Sequence, residues 1–179
     1  MTQLHDNIYA FIWESMTVNN CNTYLIDGPT RVLIDPGHEH LFEHVLKGLE
    51  NLDLSIEDIG LVICTHAHPD HIEAVKLFKN TPALFSIHEE EWKLVKSMEK
   101  HINISLKADI SSFSPDFFLK QGEFSINGLG WDVRICPAEA EKYLRKALNS
   151  YQNWKLNSYC QVMERLFPEV LKSRKILTM

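Results

Sequence analysis

The chain has 179 residues, long enough for one domain that buries most of its apolar surface. Apolar residues make up 45% and charged residues 23%, with a formal net charge of −6, so composition is ordinary for a globular protein and nucleic acid, which needs a basic face, is not the expected partner. No apolar run approaches the roughly 18 residues of a bilayer span, and the opening MTQLHDNIYAF lacks the basic region of a signal peptide, so a cytoplasmic chain with no membrane association is expected.

Ile8 to Trp13 alternates weakly and predicts a first strand, and Asn22 to Asp27 a second. Asp27-Gly28-Pro29 supplies turn chemistry, so Arg31 to Ile34 returns as the hairpin partner and ends at Asp35-Pro36-Gly37. Between Glu39 and Leu49, Leu41, Phe42, Val45, Leu46 and Leu49 recur at helical spacing. Ser55 with Asp58 three residues on predicts a short capped turn before an apolar strand at 61–64. Ile72, Val75 and Phe78 then line one face of a helix that Thr81-Pro82 ends. Ala83 to Ile87 predicts a strand, His88 to Met98 a helix, and Lys100 to Pro115 a loop. Three more strands follow at Phe117–Leu119, Glu123–Ile126 and Trp131–Ile135, with Gly122, Asn127-Gly128 and Gly130 as turns and with Phe124 and Trp131 as core residues. Strand groups separated by amphipathic helices make an α/β sandwich the expected class. The four cysteines (Cys21, Cys64, Cys136 and Cys160) are scattered, which favours buried free thiols over a disulfide framework.

The chemistry concentrates in TH-A-HPDH, residues 65–71, between the strand at 61–64 and the next helix. Residues two apart in an extended segment point the same way, so His66 and His68 project from the strand end to one region. Asp70 and His71 fall where the helix begins, a position that favours a carboxylate. Imidazole nitrogens with a carboxylate oxygen suit Zn²⁺, and also Fe or Mn. Surface histidines in a polar loop are the plain alternative, but strand, Thr, His-x-His-x-Asp-His and helix in that order form a far more specific pattern. His38, His40 and His44 follow Asp35, and His40 and His44 are read as solvated on one helix face; His88, opening a helix, is read as a surface residue.

THAHPDH resembles the metal-binding signature of the metallo-β-lactamase superfamily. NCNTYLID and VLIDPG, with Asp35 and Gly37, are similar to segments of that family's N-terminal half, and the resemblance covers about residues 7 to 138. It implies the family's αββα sandwich and a hydroxyacylglutathione-hydrolase-like chemistry, in which a metal-bound hydroxide attacks a thioester, lactone or related ester. His66 and His68 would hold the first metal and Asp70 and His71 the second, with Asp70 also orienting the hydroxide. One or two Zn²⁺ would be the cofactor, and Asp35 would support the ligands from behind. Ala67 stands where flavodiiron-type members carry Glu, which weighs against a di-iron oxidoreductase.

The resemblance also implies a third His for the first metal, a bridging Asp and a last His in a Gly-His segment. After the strand at Trp131–Ile135 comes Cys136-Pro137-Ala138, Glu139 holds the expected His position, and no histidine follows His101. Residues 1–138 therefore read as the N-terminal part of the domain and 139–179 as a helical or poorly ordered tail unlike the family. The sandwich is expected to be incomplete in its C-terminal half, with an uncovered sheet edge that invites self-association. Reading the tail from the third base of each codon offers an origin. Asn153-Trp154-Lys155 then encodes Leu-Glu and Met163-Glu164 encodes Gly with any synonymous codons, while Cys160 to Glu164 permits Pro-Gly-His-Gly. An internal deletion that shifted the frame near Ala138 would produce this tail. Two functions follow: a metal-dependent hydrolase, or an inactive remnant or non-catalytic metal-binding module that keeps only the His-x-His-x-Asp-His half-site.

Overall fold

The computed structural model describes residues 1–96, 114–126 and 129–133, with side-chain environments described up to residue 122. The chain divides into two compact units, Met1–Lys120 and Gln121–Met179. The first holds a seven-stranded mixed sheet in sequential order. Strands β1 (Thr2–His5), β2 (Ile8–Phe11), β3 (Thr23–Ile26) and β4 (Val32–Ile34) form an antiparallel meander. From β4 onward the pairing turns parallel, through β5 (Leu61–Ile63), β6 (Leu84–His88) and β7 (Phe117–Leu119). Parallel neighbours need crossovers, and the helical segments between β4, β5 and β6 supply them. In the second unit, β8 (Gly122–Ile126) and β9 (Leu129–Val133) pair as an antiparallel hairpin.

β4 and β5 read Val-Leu-Ile and Leu-Val-Ile, and every residue of both is buried. Such unbroken apolar runs are what parallel strands covered on both faces require. On one face Leu25, Leu33, Val62, Phe85 and Ile87 join a single core with Phe42, Val45 and Leu49. Ile72, Val75, Phe78, Trp92 and Val95 complete it. Phe42 meets Phe78 edge-on with ring centroids 5.7 Å apart, and Phe85 meets Trp92 likewise at 6.2 Å. Edge-to-face pairs of this kind add about 1 kcal/mol beyond the area they bury.

Most predicted elements are present, with four departures. β1 carries no apolar alternation because Gln3 and His5 are exposed on an outer strand that pairs only with β2. The helix expected from Glu39 to Leu49 starts as a 3₁₀ turn at Glu39–Leu41 and becomes α1 only at Glu43–Glu50. The Phe42 N–H bonds the Glu39 carbonyl three residues back, and the four-residue pattern begins when Leu46 N–H bonds Phe42. After the histidine motif, α2 (Pro69–Ile72) gives way to a 3₁₀ segment at Glu73–Phe78. Its interruption has a tertiary cause: the Ala74 N–H donates to the Gly37 carbonyl at 2.9 Å rather than up its own helix. Gly122 is the first residue of β8 and Gly130 lies within β9, so neither is a turn, and Gly122 has a φ of +130° that favours glycine.

The capped turn is present, with Ser55 N–H and Oγ both donating to Asp58 Oδ2 at 2.9 and 2.8 Å. Residues 89–96 are helical (α3), and His88 caps them by accepting the Glu90 N–H at Nδ1, 3.1 Å. Cys21 and Cys64 are free and buried. Among the described residues no helix is long and apolar enough to cross a membrane. Glu139, Cys136, Cys160, the Asn127-Gly128 turn, the side chains of Phe124 and Trp131, most of the 100–115 loop and the whole 139–179 tail lie outside the described residues.

Candidate metal centre

The motif residues and their supports leave the carboxyl ends of three adjacent parallel strands. β4 runs into Asp35, β5 into Thr65, His66 and His68, and β6 into α3 with Glu91. Register holds these exits level. The Asp35 N–H donates to the Ile63 carbonyl at 2.9 Å, and the Cys64 N–H to that of Ser86 at 3.0 Å. Open α/β sheets place their sites at such strand ends.

Asp35 is 4% exposed and sits at φ +54°, a left-handed conformation that Asp tolerates better than most residues. Its carboxylate organises the motif. Oδ1 accepts the Thr65 N–H at 2.7 Å, Oδ2 accepts the Thr65 hydroxyl at 2.7 Å, and Oδ2 lies 2.9 Å from His71 Nδ1. The Asp35 carbonyl accepts the hydroxyl of Thr23 at 2.7 Å and the thiol of Cys21 at 3.2 Å, and the Cys64 thiol bonds the His71 carbonyl at 3.5 Å. Burial, with the nearby Asp35 carboxylate, pushes both thiols well above their ordinary range. They stay protonated and brace the backbone.

Proton positions in the motif follow from this network. The Thr65 hydroxyl gives its one proton to Asp35, so at 3.0 Å it can only accept from His66 Nδ1. That leaves the lone pair of His66 on Nε2, which meets His68 Nδ1 at 2.8 Å. His71 turns Nδ1 to the Asp35 carboxylate, so its Nε2 lone pair faces outward, 3.9 Å from Asp70 Oδ2. His66 lies against both other rings, with centroids 4.4 Å from His68 and 4.0 Å from His71. Burial holds His66 and His68 below the ordinary imidazole range. Burial acts on His71 in the same direction, but the carboxylates of Asp35 and Asp70 outweigh it and raise the net value. Neutral imidazoles, the form burial favours at His66 and His68, are the donors a divalent cation requires.

The four motif residues are thus brought together, His66 against both His68 and His71, and Asp70 beside His71. This donor set fits a borderline divalent cation in chemistry, though each pair that the resemblance implies, His66–His68 and Asp70–His71, offers two ligands where a catalytic site uses three. Two supporting residues carried no advance signal in the sequence. Asn19, in the β2–β3 loop, donates Nδ2–H to Asp70 Oδ2 at 2.9 Å. Glu91, on α3, accepts the Ala67 N–H at 3.0 Å and so fixes the loop between His66 and His68. His44 is not solvated as expected. It is half-buried edge-on to Trp13, with centroids 5.0 Å apart, and its Nδ1 bonds the Leu41 carbonyl at 2.9 Å. His40 is exposed, but it stands beside His38 and Glu73.

Known proteins resemble this chain in sequence and in fold. Residues 16–140 match the family model described as the metallo-beta-lactamase superfamily. A protein named as a probable metallo-hydrolase of Methanocaldococcus jannaschii is 35% identical over 78 residues, 41% of this chain and 38% of that one. The metallo-beta-lactamase domain-containing protein 1 of Xenopus laevis is 37% identical over 62 residues, 35% of this chain and 27% of that one. Among solved structures, the native metallo-beta-lactamase of Legionella gormanii superposes with a TM-score of 0.56 at 21% identity, over 73% of this chain and 50% of its own. A subclass B3 enzyme of Bradyrhizobium japonicum gives 0.58 at 22%, over 73% and 49%. The match to the solved structures spans about half of their length, and to these curated relatives less than two fifths, so the fold present is an incomplete αββα sandwich. With a family model matched over more than half of its length, the chain belongs to the metallo-beta-lactamase superfamily of metallo-hydrolases, whose fold implies a divalent metal.

Proposed function

We propose that this chain is a zinc-dependent hydrolase acting on a thioester, lactone or related small ester, with His66, His68, Asp70 and His71 as its metal ligands. The observation that carries the reading is the proton order from Asp35 through Thr65 to His66, and from Asp35 to His71. It leaves the lone pair of His66 on Nε2, against His68, and that of His71 on Nε2, 3.9 Å from Asp70. A bound divalent cation lowers the pKa of a coordinated water to about 7, which makes a nucleophile available at neutral pH. The chain's own residues do the rest. Asp70 would orient the attacking hydroxide, and Asn19 holds the Asp70 carboxylate in place. Asp35 fixes the tautomers, and Glu91 fixes the Ala67 backbone between the two first ligands.

In the same reading residues 1–138 carry the family half-domain, residues 139–179 form a tail unlike it, and the protein works in the cytoplasm on a small molecule. The division of the ligands into two pairs favours a second reading, a metal-binding module without turnover. Metal content and hydrolysis of a thioester and lactone panel by the full chain separate the two. Tightly held zinc with turnover that is lost in both His66→Ala and Asp70→Ala supports the hydrolase. Turnover that survives both substitutions overturns it, and zinc without turnover leaves the module.

A further inference from the structure

Among the described residues, one group of ligating side chains outside the motif comes together on facing turns. His38 and His40 leave the loop after β4, and Glu73 follows α2, and the three present ligand atoms that all lie within 4.8 Å of one another. Glu73 is 8% exposed, a buried carboxylate whose Oε2 meets His38 Nδ1 at 2.6 Å. His40 is exposed, with its ring centroid 5.2 Å from that of His38. Burying a carboxylate is costly without a compensating charge or donor, and a single imidazole covers one oxygen.

The two turns are held together by contacts that do not use these three side chains. Gly37 accepts the Ala74 N–H at 2.9 Å and Lys76 pairs with Glu39, while the His38 N–H anchors its turn to Asn20 Oδ1 in the β2–β3 loop at 2.9 Å. Gly37 has φ +90°, and a Cβ there would lie 2.8 Å from Asn20 Oδ1, so the close approach depends on glycine. The Lys76 charge, the nearest cation on the 3₁₀ segment, is answered by Glu39 and does not oppose a second cation beside Glu73.

We infer that His38, His40 and Glu73 form a further divalent-metal site, separate from the His-x-His-x-Asp-His motif. Two imidazoles and one carboxylate select zinc or another late first-row dication over Mg²⁺ or Ca²⁺, which prefer all-oxygen ligands. Tetrahedral ligands about 2.0–2.1 Å from a zinc are about 3.3 Å apart, so the His38–Glu73 contact opens by about 0.7 Å as the cation replaces it. His40, free to swing at the surface, supplies the third ligand and leaves the fourth position to water. Because Asp35 contacts His71 and His38 contacts Glu73, a cation here ties together the two segments that also carry the motif and raises their stability.

The test is zinc titration of the stripped full-length chain by calorimetry, with the exposed His40→Ala as the main variant. Wild type takes up one more equivalent than His40→Ala, or holds that equivalent at least ten-fold more tightly, and its thermal midpoint rises further on adding zinc. Glu73→Gln, close in shape, loses the same equivalent, whereas His66→Ala keeps it and His5→Ala, at another exposed histidine, changes nothing. An unchanged zinc isotherm in both His40→Ala and Glu73→Gln overturns the site, as does an equal loss in His5→Ala, which would mark adventitious surface binding. Far-ultraviolet circular dichroism matched to wild type shows that the variants fold.

Discussion

Replacing Asp35 by Asn exchanges one oxygen for an NH₂ group and should reverse the proton order of the whole motif. With the amide oxygen still accepting the Thr65 N–H, the new NH₂ group takes the place of Oδ2, which now faces the Thr65 hydroxyl at 2.7 Å and His71 Nδ1 at 2.9 Å. A donor there forces Thr65 to accept, so its hydroxyl proton turns to His66 Nδ1, 3.0 Å away. His66 and His71 then carry their protons on Nε2, the nitrogens that otherwise hold lone pairs toward the site. Keeping the original tautomers instead leaves buried donors facing one another, at about 1–3 kcal/mol for each unsatisfied group. Groups that fix a ligand's tautomer from behind are typically worth 10–100-fold in metal affinity, or about 1.4–2.7 kcal/mol. Zinc competition against a chromophoric chelator should therefore show Asp35→Asn at least ten-fold weaker than wild type. Imidazole ¹⁵N shifts of the metal-free proteins should show His66 and His71 exchanging the protonated nitrogen. Unaltered zinc affinity together with unaltered ¹⁵N shifts would refute the reasoning.

Three further expectations concern the scaffold. Gly48 lies under Phe11, and an added Cβ would stand 2.6 Å from the Phe11 ring, which is 2% exposed and cannot withdraw. Gly48→Ala should thus lower the unfolding free energy from urea titration by about 1–2 kcal/mol despite the better helix propensity of Ala; a stabilised variant would show that the core yields there. Glu91→Ala strips the acceptor from the Ala67 N–H and should cost about 1–2 kcal/mol while weakening zinc binding, and it should leave both untouched if the loop needs no such anchor. For pH, His66 and His68 are held below 6.5 when folded, so the unfolded chain binds more protons below that value. Their contribution is present above 6.5 and is lost as pH falls, whereas that of His71, held above 6.5, is present below it and lost as pH rises. Metal-free wild type should then lose stability as pH falls below 6.5, and His66→Gln should flatten that slope; equal slopes would contradict the assignment.

Much of this fold could be read from residue pattern. The unbroken Val-Leu-Ile and Leu-Val-Ile runs, the Ser55–Asp58 cap and the strand-to-helix change around residues 65–71 each state their element locally. β1 could not be read, because a polar outer strand is defined by its partner and not by its own residues. Nor could the 3₁₀ segment after α2, whose cause is a backbone bond from Ala74 to Gly37, far back in the chain. The site divides in the same way. His66, His68, Asp70 and His71 are adjacent in sequence, while Asn19 and Glu91 reach the motif across 51 and 24 positions. His40 could not be joined to Glu73 until the fold brought their turns together. The tail remains a sequence question: the coding DNA should read Gly-His-Gly in the shifted frame across Cys160 to Glu164, and any other codons there remove the frameshift account.

The most direct measurement of the central claim is zinc per chain, by dialysis and elemental analysis, in His40→Ala, where the second cluster is disabled. The motif site should still hold tightly bound zinc in that background, and His66→Ala added to it should abolish the binding. Zinc absent from His40→Ala, or unchanged when His66 is removed as well, would contradict the account.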